Sequence, residues 1–219
     1  MKHAALGFRA HSGWTALVAI LLQNGSPHVL LRARPHLVDT FTFEFRQPYH
    51  TAEKRLPADS DDIISRARAE AEALACQAIL SAQMSLQQQG YELKSCGLLL
   101  ASGKPLPDLR RILASHALIH TADGELFREA LLHAAARCGL EVFTVKESDL
   151  YDRASRTLGL EKNEVVRRLV LIGQGLGPPW TQDEKLSALV AWLSLVHSAS
   201  PSPKAREIPI RRMARPLGN

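Results

Sequence analysis

Residues 6–21 read LGFRAHSGWTALVAIL: two apolar runs separated by His11, Ser12 and Gly13. A polar break this short reverses a chain but does not carry it across a fold, so the two runs are expected to lie side by side as a hairpin. The first third of the chain extends it. Asn24 to Pro27, NGSP, is a turn signal before HVLLRARPHLV, and in TFTFEFR the residues Phe41, Phe43 and Phe45 alternate with Thr42 and Glu44 at the period of a half-buried strand. The stretch QPYHTAEKRLPADS then breaks the pattern with Pro48 and Pro57 and reads as a loop.

From there the period changes. Asp59 or Ser60 is the expected cap of a long helix running to about Gln89 and closed by Gly90; Ile63, Ile64, Ala67, Ala71, Leu74, Ala75, Ala78, Ile79 and Ala82 recur at helical spacing. YELKSCGLLLAS ends in a continuous apolar run, the signature of a strand buried on both faces. LRRILASHAL predicts a short helix that gives way near IHT, and Thr121 is the expected N-cap of ADGELFREALLHAAARCGL. EVFTVKES is the last clear strand. A helical stretch from SDLYDRASRTLGL through EVVRRLVLIGQGLG follows, and a second helix, capped by Thr181, lies beyond the break at Pro178 and Pro179. The order predicts an α/β domain: a mixed sheet of three antiparallel strands, then alternating helices and strands, with helices on both faces.

Composition narrows the class. The formal net charge is +5, but residues 200–219 hold Lys204, Arg206, Arg211, Arg212 and Arg215 against the lone acid Glu207. Most of the excess therefore sits in a proline-rich tail without periodicity, which is expected to be disordered, leaving residues 1–199 as the folded domain. A general nucleic-acid-binding surface does not follow from bulk charge. The apolar runs are too short to cross a bilayer, the N-terminus lacks signal-peptide features, and Cys76, Cys96 and Cys138 are widely spaced within apolar surroundings. These point to a cytoplasmic protein with reduced thiols, no membrane contact, and neither a zinc knuckle nor a redox pair among its cysteines. GQGLGPP follows a helix rather than a strand and is no phosphate-binding loop.

The element order and the opening LGFRAHSGWTALVAI resemble the ribonuclease H-like superfamily, most closely its RuvC-type resolvase branch, over roughly residues 4–197. The resemblance implies metal-dependent hydrolysis by acids at the ends of the first and fourth strands and near the start of the last helix. Here the first strand ends Phe8-Arg9-Ala10-His11 and the fourth Leu100-Ala101-Ser102-Gly103, while Asp183 or Glu184 stands near the last helix. Paired divalent metals roughly 4 Å apart need converging carboxylates, and a central arginine repels them. The implied fold is therefore expected without the implied nuclease chemistry.

Two groups of residues carry the functional expectations. Arg9, His11 and Ser12 at the first turn, with Ser102 after the fourth strand and Lys185 in the last helix, are candidate ligands for an anion such as nucleic-acid phosphate; Ser12-Gly13 also reads as a plain turn with Trp14 packed on the core. Trp180, Asp183 and Lys185 fall near the same end of the sheet if the resemblance holds. His116 and His120 share one face if their segment is helical, and with Glu125 orienting a ring they are candidate general acid–base residues of a metal-independent enzyme. Thr121 and the amides after it offer an anion site at a helix N-terminus, and hydrogen bonds to loop carbonyls offer a purely structural role. HxxxH also suits zinc, but it lacks the internal glutamate of a zinc hydrolase and no third histidine or cysteine lies close in sequence, so no metal or other cofactor is assigned. The leading expectation is a non-nuclease domain that binds an anionic ligand at the carboxyl ends of its strands, with the tail adding non-specific affinity for nucleic acid or contacting an acidic protein partner. A protein-interaction module with a vestigial cleft is the remaining reading.

Overall fold

A computed structural model of the chain describes residues 1–39, 43–101 and 105–199. Ser102 and the tail from Ser200 onward, on which two of the sequence expectations rest, lie outside these residues. Five strands form one sheet in the order β3-β2-β1-β4-β5, with β1 spanning Lys2–His11, β2 Trp14–Gln23, β3 Ser26–Ala33, β4 Tyr91–Leu100 and β5 Glu141–Lys146. β1–β2 and β2–β3 pair antiparallel; β1–β4 and β4–β5 pair parallel. The opening hairpin closes at the His11–Trp14 pair, and Gly13 takes φ +81° in the turn, a conformation that other residues reach only with strain.

Helices cover both faces. α1 (Pro48–Glu53), α2 (Pro57–Gln88), α3 (Leu109–Leu113) and α4 (His116–Arg137) lie on one side; α5 (Leu150–Leu158), α6 (Lys162–Gln174) and α7 (Gln182–Ala199) lie on the other. Alternation along β1 divides its side chains between the two cores. Ala4, Leu6, Phe8 and Ala10 join the α2–α4 core, and Ala5 joins the α7 core. The α2–α4 contact uses an alanine stripe, Ala67, Ala71, Ala75 and Ala82, set against Ala122, Phe127, Ala130 and Ala134. Small side chains on both helices allow close approach. None of the described helices is long and apolar enough to cross a membrane.

α7 fits the sheet more closely than any other helix. A Cβ on Gly7 would stand 1.8 Å from the Ser187 carbonyl oxygen, and one on Gly97 2.4 Å from that of Val190. Gly7 and Gly97 are register partners in β1 and β4, so together they form a trough in which the backbone of α7 lies. This close fit fixes the position of the first turn of α7 at the carboxyl end of β1.

Four local expectations are corrected. The strand predicted around Phe41, Phe43 and Phe45 is instead a 3-10 turn over Phe43–Arg46 leading into α1, with residues 40–42 outside the description. A helical path places Phe45 and Tyr49, four apart, in the core together. The expected loop of QPYHTAEKRLPADS contains α1 itself, with Pro48 in its first turn. α2 starts earlier than predicted, at Pro57, so Ser60 lies inside its first turn, where its hydroxyl donates to the carbonyls of Ala52 and Leu56 and ties α1 to α2. Thr121 is not an N-cap: α4 begins at His116, and Thr121 Oγ1 bonds back to the Ala117 carbonyl at 2.9 Å in mid-helix. The amides after Thr121 are therefore spent within the helix, and that anion site is lost.

Candidate functional site

The alternation that places Ala5 against α7 also turns Arg9 and His11 toward it, at the end of β1 where the first turn of α7 arrives. On β5 the same parity runs Phe143, Val145, Glu147, with Phe143 and Val145 in the α7 core and Glu147 just past the strand end. The three elements thus deliver a guanidinium, an imidazole and two carboxylates to one place. Arg9 makes a two-point bridge to Glu147, Nε to Oε2 at 3.0 Å and Nη2 to Oε1 at 2.7 Å. Its Nη1 donates to Asp183 Oδ1, an oxygen that His11 Nε2 also meets at 3.0 Å. The His11 ring lies flat against Trp14, with centroids 4.2 Å apart and an interplanar angle of 7°.

The electrostatics are those of a closed cluster. Burial pushes the Asp183 carboxyl up, but hydrogen bonds from Arg9 and His11 outweigh it and hold the group below the usual carboxylate range. Glu184, beside it and buried, faces elsewhere: Arg34 Nε reaches its Oε1 at 2.8 Å, while the Thr181 amide and hydroxyl reach its Oε2 at 2.8 and 2.5 Å. The Glu184 side chain thus caps the Thr181 amide as in T-x-x-E, while Thr181 Oγ1 accepts from the Asp183 amide at 3.3 Å. Of the two candidate acids, Asp183 is the one that faces the end of β1.

The remaining predicted residues fall differently. The Ser12 carbonyl accepts from Arg46 Nε at 3.2 Å, which brings the 3-10 turn against the hairpin. Lys185 is half-buried and forms no ion pair among the described residues. Trp180 lies on Gly173 of α6 and donates to the Leu169 carbonyl at 2.8 Å. Glu125 orients no histidine; it pairs with Arg128 at 3.1 Å, because i and i+3 face one another on α4. His116 and His120 do share a face of α4, with their Nε2 atoms 3.1 Å apart. Their neighbour is His50 of α1, whose ring centroid lies 4.4 Å from that of His120 and 5.5 Å from that of His116. His50 Nδ1 meets Asp123 Oδ2 at 2.5 Å, and Asp123 Oδ1 accepts from the Tyr49 amide at 2.8 Å. Burial pushes the Asp123 carboxyl up, partly offset by these two contacts. Among the described residues no hydrogen bond, ion pair or ring contact joins this group to the Arg9 cluster.

No family model matches the sequence, and no curated protein matches it. Solved structures do. One, Thermus thermophilus RuvC in complex with a Holliday junction substrate, superposes with a TM-score of 0.52 at 11% identity, covering 89% of this chain and 94% of that one. A second T. thermophilus RuvC structure gives 0.47 at 9% identity, covering 89% and 95%. The fold is ribonuclease H-like, of the RuvC type.

Of the residues singled out by sequence, the structure brings Arg9, His11 and Asp183 together; Glu147, His50 and Asp123, which take part in the two clusters, are not among those the sequence singled out. Glu147 was within reach of the sequence, since it continues the inward parity of Phe143 and Val145. His50 lies in a proline-flanked stretch whose pattern reads as a loop, and Asp123 lies where the sequence puts a helix start, at Thr121, rather than mid-helix.

Proposed function

We propose that the chain is a nucleic-acid-binding domain of the ribonuclease H-like class whose centre is closed by an arginine and does not cut. The observation that carries this reading is the Arg9 bridge to both Glu147 and Asp183 at the carboxyl end of β1. Metal-dependent hydrolysis in such a place needs carboxylates free to take hard cations. Here one guanidinium engages both, and a divalent ion would have to displace it. The same bridge neutralises a pair of acids that would otherwise repel a phosphodiester.

Phosphate contacts are assigned to the rim. An open cleft of about 510 Å³ is lined by Glu44, Arg46, His50, Lys54 and Arg55 among others, and Arg46 ties it to the hairpin turn through the Ser12 carbonyl. Lys185, in the first turn of α7, adds a cation, and the basic residues of 200–219 add affinity without sequence preference. The ligand of the T. thermophilus RuvC structure, a Holliday junction, supports nucleic acid as the class of partner.

Fluorescence polarisation on labelled duplex, four-way-junction and single-stranded DNA and on RNA tests the reading. Saturable binding is expected at low salt, and the double variant Lys54→Gln/Arg55→Gln should lower the log–log salt slope by about 2, since each lost phosphate contact removes about 0.9. Incubation with Mg²⁺ or Mn²⁺ should leave every strand intact. Failure to bind any of these at low salt, or metal-dependent scission that disappears in Asp183→Asn, overturns it.

A further inference from the structure

We propose that His50, His116 and His120 form a three-histidine site for a divalent transition metal, zinc by its ligand chemistry, that clips α1 to α4. One ring nitrogen from each of the three lies within 4.8 Å of the others. The Nε2 atoms of His116 and His120, one turn apart on α4, are already 3.1 Å apart. Neighbouring ligands of a tetrahedral zinc with bonds of 2.0–2.1 Å stand about 3.3 Å apart, so that edge needs almost no change and the third closes by side-chain rotation. His116 and His120 are exposed and His50 half-buried, which leaves the rings room to make that rotation.

The surroundings of His50 are those of a metal ligand. Its Nδ1 is engaged by the buried Asp123 carboxylate, whose other oxygen is fixed by the Tyr49 amide. With Nδ1 taken up by that contact, Nε2 is the ring nitrogen left for a metal. A carboxylate behind a ligating histidine fixes its tautomer and orientation and raises its basicity. Asp123 is on α4, three residues beyond His120, so a single helix carries two ligands and the support of the third. Three neutral nitrogens without an oxygen donor select against magnesium and calcium and suit zinc. With three protein ligands the fourth position stays open to solvent and takes water. α1 is only six residues long, and a helix of that length is held by its tertiary contacts, to which the metal would add one.

The test uses the full chain, free of any affinity tag and stripped with EDTA. Equilibrium dialysis against zinc with elemental analysis should give one equivalent per chain. Cobalt substitution should give intense d–d bands of tetrahedral type without thiolate charge transfer, which sets the site apart from Cys76 and Cys138. Stoichiometric binding should be lost in His50→Ala and in His120→Ala, and weakened about 10- to 100-fold in Asp123→Asn. Should a variant fail to fold, diethyl pyrocarbonate footprinting of the wild type gives the answer: zinc should shield His50, His116 and His120 and leave His28 and His133 unchanged. Zinc well below one equivalent, affinity unchanged in a folded His50→Ala variant, or absence of shielding overturns the site.

Discussion

Arg9→Met is the perturbation that bears most directly on the centre. Methionine keeps an apolar stem of similar length and removes the charge, leaving Glu147 and Asp183 side by side. The Arg9 and Asp183 side chains are 23% and 19% exposed, so their charged hydrogen bond falls in the range of about 1.5–3 kcal/mol. Glu147 is 41% exposed, and solvent screening holds its bridge, despite the two-point geometry, to about 0.5–1 kcal/mol. The expected loss is therefore about 2–4 kcal/mol at neutral pH, or a fall in Tm of roughly 4–16 °C for a domain of this size. The pH dependence has a definite sign. Asp183 is held below its ordinary range in the folded chain, so the stability it contributes is complete above the unfolded value of about 3.9 and is lost as pH falls through the folded one. The gap between wild type and variant should thus be constant near neutrality and close below about pH 4. Freed of the guanidinium, the two carboxylates become a place for a hard cation. Mg²⁺ at ten times its Kd would return about 1.4 kcal/mol to the variant and nothing to the wild type. Urea denaturation followed by tryptophan fluorescence, at neutral and acid pH and with or without MgCl₂, measures all of this. A variant as stable as the wild type at pH 7, or a wild type that Mg²⁺ stabilises equally, would refute the idea that Arg9 takes the place of metal.

Two further outcomes follow from the packing. Gly97→Ala puts a methyl carbon 2.4 Å from the Val190 carbonyl oxygen, a backbone atom that moves only if α7 moves, so a loss of about 3 kcal/mol is expected in urea unfolding; a loss below about 1 kcal/mol would mean that α7 does not lie flush on the sheet. Burial pushes the Cys96 thiol up to about 12, so alkylation at about pH 8 should leave Cys96 unmodified in the native chain and modify it once urea is added, with the adducts located by mass spectrometry. Modification of native Cys96 at the rate of a free thiol would contradict its place between the strands and α2–α4.

What the sequence discloses here depends on how local each cause is. The hairpin, α2, β4, β5 and α7 come from periodicity within a dozen residues, and a period of 2 or 3.6 is imposed by the sheet or helix itself. The capping pair Thr181 and Glu184 is legible for the same reason. Errors fall where a distant partner decides. Phe43–Arg46 alternates like a strand, yet the core rewards Phe45 and Tyr49 for standing four apart, so the segment coils. Thr121 is a good cap by type, but Ser115, six residues earlier, already offers the extended backbone from which α4 begins.

The same division explains why the two side-chain clusters are unequally visible in the sequence. Arg9 and Glu147 are 138 residues apart, and nothing near either names the other. What could have linked them is parity: on parallel strands covered by one helix, residues of like parity at the carboxyl ends of the two strands that flank β4 converge on that helix's first turn. Residues 5, 7, 9 and 11 of β1, and 143 and 145 of β5 with Glu147 just beyond it, satisfy this with Asp183 of α7. His50 obeys no such rule, because α1 belongs to a connection and not to the repeating layers, and its partners His116 and His120 lie on a helix packed against the opposite face. The strand parities therefore fix the neighbourhood of Arg9, whereas the histidine cluster depends on where the connection carrying α1 packs. Each can be lost without the other: Arg9→Met should leave zinc stoichiometry unchanged, and His50→Ala should leave the Mg²⁺ response of Arg9→Met unchanged. Dependence of either on the other would show that the two faces of the sheet are coupled through β1, against the separation of the two cores.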